Sequence, residues 1–240
     1  MANTFDPTAK KPFRISRSKI DLFFACPRCF YLDRRLGIAR PTGPPFSLNN
    51  AVDALLKREF DAYREEGRPH PLMAKHGLAA VPFQHDSLEA WRDALRRGIR
   101  HVHAPTNLEV TGGIDDVWQD AEGDLIIVDY KATAKLGEVN LDAPWQDSYK
   151  RQVEVYQWLF RKNGFPVSDT AYFVYVNGRL DEPAFDERLV FRTSLLPYDG
   201  SDAWVEPALE AIRETLVADA PPMPAETCDH CRYVAGAAGA

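Results

Sequence analysis

Residues 107–131 read NLEVTGGIDDVWQDAEGDLIIVDYK. Apolar and β-branched runs over 107–119 and 124–131 flank Asp120-Ala121-Glu122-Gly123-Asp124, a turn-forming cluster, and together they predict a β-hairpin. Leu125-Ile126-Ile127-Val128 is apolar at every position, as in a central strand buried on both faces. Asp129 and Lys131 follow two residues apart, so one face of that strand carries both. A hairpin symmetric about residue 122 pairs 120 with 124 and 115 with 129. Asp115 then lands opposite Asp129, with Cβ atoms about 4.5–5.5 Å apart, unless a bulge shifts the register.

The flanking segments extend the pattern. Residues 16–37 read as a helix capped by Ser16 and stopped near Gly37. Arg40 to Pro45 is a Pro/Gly linker, and a second helix is expected from Ser47 to about Glu66. Residues 67–85 read as a loop, and a third helix runs from Asp86 or Ser87 to about His101. Beyond the hairpin come a helix over 147–163, strands over 170–176 and 188–193, and a helix over 201–218. This order predicts one α/β domain spanning 1–240, a mixed sheet flanked by helices. No repeat is visible.

The 240 residues carry a formal net charge of −6, and 45% are hydrophobic. A globular core is expected, and a strongly basic nucleic-acid binder is not. Metal-binding carboxylates lower the total, and local basic clusters exist at Lys10, Lys11, Arg14, Arg17 and Lys19 and at Arg92, Arg96, Arg97 and Arg100. Both clusters read as solvated faces. No run of 18 apolar residues is present, so no membrane span is expected. The start MANTFDPTAKKPFR has no signal-peptide core, which makes the cytoplasm the expected location.

Two adjacent carboxylates repel unless a cation lies between them. Hard oxygen ligands suit Mg²⁺, and such a metal activates water and stabilises charge on a phosphate oxygen. Lys131 beside them can orient the water or steady the transition state.

Gly112-Gly113-Ile114-Asp115, Asp129-Tyr130-Lys131 and Gln152-Val153-Glu154-Val155-Tyr156 resemble, in order and spacing, the GxxD, DYK and QxxxY motifs of RecB-type PD-(D/E)XK nucleases. The resemblance implies a restriction-endonuclease-like core. It implies Mg²⁺ or Mn²⁺ held by Asp115, Asp129 and the Tyr130 carbonyl, a catalytic Lys131, and a positioning role for Gln152 and Tyr156. The family's early-helix histidine is replaced here by Asp53, in Asn50-Ala51-Val52-Asp53, which is expected to serve as an oxygen ligand.

Cys26-Pro27-Arg28-Cys29 and Cys228-Asp229-His230-Cys231 form paired C-x2-C motifs, a metal-site signature. Zinc and a [4Fe–4S] cluster both take four thiolates, and His230 is a rival ligand. Cys26-Pro27-Arg28 followed by Phe30-Tyr31-Leu32 resembles the cluster segment of CRISPR-associated iron–sulfur exonucleases and AddB-type nucleases, which implies [4Fe–4S]. Those proteins have one cysteine there and three near the C-terminus, and this two-and-two arrangement keeps zinc open. Either metal joins segments 16–37 and 221–234 into a metal-bound lobe.

Trp158 reads as core. Tyr149-Lys150-Arg151 is either a contact to single-stranded DNA or an ordinary first helical turn. The resemblance implies a DNA exonuclease acting on single strands or free ends, in repair, recombination or CRISPR adaptation. No phosphate-binding loop is present, so ATP-driven unwinding needs a separate helicase. The alternatives are a non-catalytic DNA-binding or scaffolding subunit, and a sequence-specific endonuclease, for which no recognition domain is visible.

Overall fold

The computed structural model describes residues 4–43 and 47–239. The end of the expected Arg40–Pro45 linker lies outside the described residues. The elements begin β1 (Phe13–Ser16), α1 (Arg17–Ala25), α2 (Pro27–Leu36), α3 (Ser47–Glu65), α4 (Pro71–Lys75), β2 (Ala80–Pro82), α5 (Leu88–Arg92) and β3 (Ile99–His103). They continue β4 (Leu108–Gly112), β5 (Asp116–Asp120), β6 (Leu125–Thr133), α6 (Asp147–Lys162), β7 (Thr170–Gly178), β8 (Phe191–Asp199), α7 (Val205–Val217) and α8 (Asp229–Ala238). A 3-10 turn over Pro144–Gln146 leads into α6. The chain divides into two compact units. One takes in residues 4–43, 100–111 and 203–239, and the other 47–99 and 112–202.

The first unit contains most of a three-stranded sheet of order β1-β4-β3, with β1 parallel to β4. Helices α1, α2 and α7 pack on one another. The second unit contains a mixed sheet of order β2-β5-β6-β7-β8. The β6–β7 pair is parallel and the others are antiparallel. Parallel neighbours need a crossover, and α6 supplies it.

Asp116 pairs with Val128 and Gln119 with Leu125, so the hairpin is symmetric about residue 122. The central strand β6 is buried on both faces. Its even positions Ile126, Val128 and Tyr130 join a core with Phe60, Met73, Trp118 and Val174. The Phe60 ring lies 5.3 Å from Trp118 and 5.7 Å from Tyr130. The odd positions Ile127 and Asp129 are 0% and 1% exposed, and Lys131 reaches α6.

Several sequence expectations are corrected. The helix over 16–37 is two helices, because Cys26 precedes a proline and is extended (φ −169°, ψ 108°). Pro27 then starts α2, and Gly37 ends it in the left-handed region (φ 73°). The loop over 67–85 contains α4 and β2. The third helix stops at Arg92, and Ile99–His103 is a strand whose buried Ile99 and His103 lie four apart, a period-two spacing. The strand expected over 107–119 is two strands in different sheets, broken at Gly113-Ile114-Asp115. The strand expected over 188–193 begins at Phe191 and runs to Asp199. The last expected helix is α7, shorter at its start, and α8 continues into the Gly/Ala tail.

Candidate active site

The break between β4 and β5 positions Asp115. Instead of extending the ladder, Asp115 accepts a hydrogen bond at Oδ2 from the Tyr130 amide (2.9 Å). Its carboxylate is thereby fixed beside the Asp129–Tyr130 backbone. Its own carbonyl accepts from Arg92 Nε (3.1 Å).

Asp129 and Lys131, on one face of β6, form an ion pair. From Lys131 a continuous set of donors crosses to α6 and back. Lys131 Nζ donates to Gln152 Oε1 (3.2 Å), and Gln152 Nε2 donates to the Tyr156 hydroxyl (3.2 Å). The Tyr156 hydroxyl donates to the Gly113 carbonyl (2.7 Å). One direction of donation satisfies all three links, so Lys131, Gln152 and the 113–115 segment hold each other in register.

The two glycines have separate steric reasons. A Cβ on Gly112 would sit 2.5 Å from Tyr156 Cε1, and one on Gly113 would sit 2.3 Å from Ala94 Cβ. Both mark close approach, and neither has a positive φ.

Lys57 was not singled out by the sequence. From α3 its Nζ donates to Asp53 Oδ2 (2.9 Å) and Asp115 Oδ1 (3.4 Å). Burial opposes its charge, but the Asp115 charge and the Asp53 bond outweigh this and raise its pKa. Asp53 thus connects to the site through an ammonium. The i, i+4 spacing of Asp53 and Lys57 was the available signal.

Asp116, also missed, is the buried counterpart of Asp115. It is 0% exposed and accepts from Val117 N (2.9 Å), Trp118 Nε1 (3.1 Å), the Tyr130 hydroxyl (2.8 Å) and Arg92 Nη2 (3.2 Å). Arg64 pairs with it as well. Burial and the Asp116 charge push the Tyr130 phenol well up, so its proton stays on the donor. Arg92, expected on a solvated face, is instead 8% exposed and also pairs with Asp61.

The Asp115 and Asp129 carboxylates are hard oxygen ligands, a chemistry that fits Mg²⁺ or Mn²⁺. The ligand atoms of Asp53, Asp115 and Asp129 do not all lie within 4.8 Å of one another. Among the described residues, the one group of three or more cysteine, histidine or acidic ligand atoms within 4.8 Å of one another is Cys26, Cys29, Cys228 and Cys231.

Those cysteines all lie in the first unit. Cys26 and Cys228 are the N-cap residues of α2 and α8, and Cys29 and Cys231 lie one turn in. Both pairs therefore straddle a helix N-terminus, where backbone N–H groups favour thiolates. The sulfurs are 3.5 Å (Cys29–Cys231), 3.6 Å (Cys29–Cys228) and 3.8 Å (Cys26–Cys231) apart. Arg40 Nη2 donates to Cys228 Sγ (3.2 Å) and the Ala225 amide to Cys26 Sγ (3.5 Å). Burial opposes ionisation of Cys26, but amide bonds from Ala225 and Cys29 lower its pKa to about 6. Burial and then neighbouring sulfurs push Cys231 up. His230 is exposed and outside the group, and Trp158 is buried.

A family model described as the PD-(D/E)XK nuclease superfamily matches residues 14–235. A solved structure titled "Crystal structure of SSO0001" is similar at 13% identity and a TM-score of 0.41, over 89% of this chain and 80% of that one. No curated protein matches.

Proposed function

Because the chain belongs to the PD-(D/E)XK nuclease superfamily, we propose that it is a RecB-type nuclease that hydrolyses phosphodiester bonds in DNA, as an exonuclease on single strands or free ends. The observation that carries this reading is the donor path from Lys131 through Gln152 and Tyr156 to Gly113, with Asp115 anchored on the Tyr130 amide. Asp115, Asp129 and the Tyr130 carbonyl would hold Mg²⁺ or Mn²⁺. Such an ion, when bound, lowers the pKa of a water and neutralises charge on the phosphate. Gln152 orients Lys131, whose ammonium faces the Asp129 carboxylate and steadies the charge that develops on the phosphoryl oxygens. The Lys57 ammonium, on the other side of Asp115, adds a second positive group beside the site. The protein would act in the cytoplasm, in repair, recombination or CRISPR adaptation, with any unwinding supplied by a helicase.

The four cysteines, in our reading, bind one metal and make a lobe of segments 16–37 and 221–234. The resemblance implies a [4Fe–4S] cluster, but the sulfur separations favour a single tetrahedral Zn²⁺. Bonds of about 2.3 Å to one ion place sulfurs about 3.8 Å apart. A cluster binds each thiolate at its own iron and spreads them wider. Metal analysis of anaerobically purified protein decides this: about one zinc per chain with no visible absorbance supports zinc, and four irons with a brown chromophore overturn it.

The activity test uses end-labelled single- and double-stranded DNA with Mg²⁺, Mn²⁺ or EDTA. We expect metal-dependent loss of the full-length strand that Lys131→Ala and Asp129→Ala abolish. DNA that is bound yet never cut would favour the alternative, a non-catalytic DNA-binding or scaffolding subunit. Cutting of closed circles at fixed sites would favour a sequence-specific endonuclease.

A further inference from the structure

Trp145 spends 60% of its surface in water, an unfavourable place for the largest side chain. Its carrier is rigid. It occupies the middle of the Pro144–Gln146 3-10 turn, and the neighbouring Gln146 is 1% exposed. Gln146 accepts from the Ala143 amide at Oε1 (2.9 Å) and donates from Nε2 to the Asn140 carbonyl (2.7 Å). The backbone on which Trp145 stands is therefore pinned on both sides, while the indole projects outward.

What lies next to that indole gives it a use. The Trp145 and Tyr149 rings meet edge to face with centroids 5.4 Å apart. The Tyr149 ring centroid is in turn 4.3 Å from Lys131 Nζ. Taken end to end, these separations place Trp145 within about 10 Å of Lys131 Nζ. That reach covers two to three stacked nucleotides at about 3.4 Å each. Burial and then the charge of Asp129 raise the Tyr149 phenol, as expected for a ring bordering the acid as well as the lysine.

We propose that Trp145, backed by Tyr149, is a nucleobase-stacking platform that makes the enzyme favour single-stranded DNA beside the scissile phosphate. The inference rests on the nuclease reading above and assigns the residue that selects single strands. Inside a duplex both faces of a base are already covered by neighbours, so the indole finds a free π-face only on an unpaired base. Stacking is sequence-tolerant, since every base offers such a face. Pre-ordering of the turn keeps the entropy cost of binding low.

The test combines binding and cleavage. Anisotropy of a fluorescent single-stranded oligonucleotide, measured with EDTA present, reports affinity whether or not cleavage occurs. Trp145→Ala should weaken that affinity roughly 5- to 100-fold, and Trp145→Phe should restore most of it. Duplex affinity should be unchanged. In cleavage, KM for the single strand should rise by a similar factor while kcat moves less. Walking one abasic position along the oligonucleotide should weaken wild-type binding at one site and leave Trp145→Ala indifferent to it. Equal binding of single strands by wild type and Trp145→Ala overturns the platform, even if the protein cuts DNA. A wild type that cuts nothing, yet loses single-strand affinity on Trp145→Ala, keeps the platform and removes the nuclease.

Discussion

Asp116→Ala should be the most damaging single substitution in the second unit. Asp116 has no exposure and serves two guanidinium groups, Arg64 and Arg92, that are themselves 6% and 8% exposed. It also accepts from the Val117 amide, the Trp118 indole and the Tyr130 hydroxyl. Truncation leaves these donors without their acceptor and the two cations with exposed carboxylates alone, Asp61 at 36% exposure and, for Arg92, Glu89 at 78%. Breaking a buried ion pair from one side costs about 3–5 kcal/mol. A domain of this size is stable by about 5–15 kcal/mol, so the variant should stand near the edge of folding. Urea unfolding followed by tryptophan fluorescence measures the loss, with Trp118 as an internal reporter. Asp116→Asn, which preserves the shape and part of the bonding, should fall between. A loss below about 1 kcal/mol for Asp116→Ala would refute the reasoning, because it would mean the network is solvated and contributes like a surface pair.

Gly113→Ala would drive a methyl group against the Cβ and backbone of Ala94, at 2.3 and 2.6 Å; a destabilisation of about 1–3 kcal/mol is expected, with a matching loss of cleavage, and a fully stable variant would contradict it. Burial opposes ionisation of Asp33, but bonds from Lys19 and Arg34 outweigh it and hold the carboxyl below its ordinary 3.8. Its stabilisation is then complete above 3.8 and lost as the pH falls through the lower folded value. Asp33→Asn should therefore be less stable than wild type at pH 7, with a gap that closes on acidification; a gap independent of pH in denaturant titrations would sink this. Lys57→Met removes a cation that competes for Asp115, so Mn²⁺ should bind about 3- to 10-fold more tightly while cleavage falls. Calorimetric titration with Mn²⁺ showing weaker binding would reverse the assignment.

The sequence was most readable where one physical rule acts alone. The turn at 120–124 sets the hairpin register, and the apolar run 125–128 marks the strand as buried on both faces. Gln152 and Tyr156 were legible through the resemblance to the QxxxY motif, and their spacing puts them on one helix face. Over 16–37 the end signals Ser16 and Gly37 predicted one helix, while the residue before Pro27 avoids the helical region and breaks it in two. The strand at 99–103 was hidden by the basic residues before and within it, since Arg96, Arg97 and Arg100 suit a helix as well as a strand. Asp116 and Arg92 were invisible for a different reason. A charge reads as solvated unless its partner is known, and Asp116 lies 24 residues from Arg92 and 52 from Arg64. The break between β4 and β5 follows from two glycines whose constraint comes from Tyr156 and Ala94, which only the folded chain brings close.

The four cysteines also set an order of events in time. Cys26 and Cys231 are 205 residues apart, yet both must be present before the four sulfurs can gather at one place. At a synthesis rate of about 5–20 residues per second, the early pair waits roughly 10–40 seconds for the late one. During that interval Cys26 and Cys29 form an open dithiol, available to glutathione, copper or a misplaced ion. Any metal the four sulfurs hold would consequently be captured late, on the ribosome or just after release.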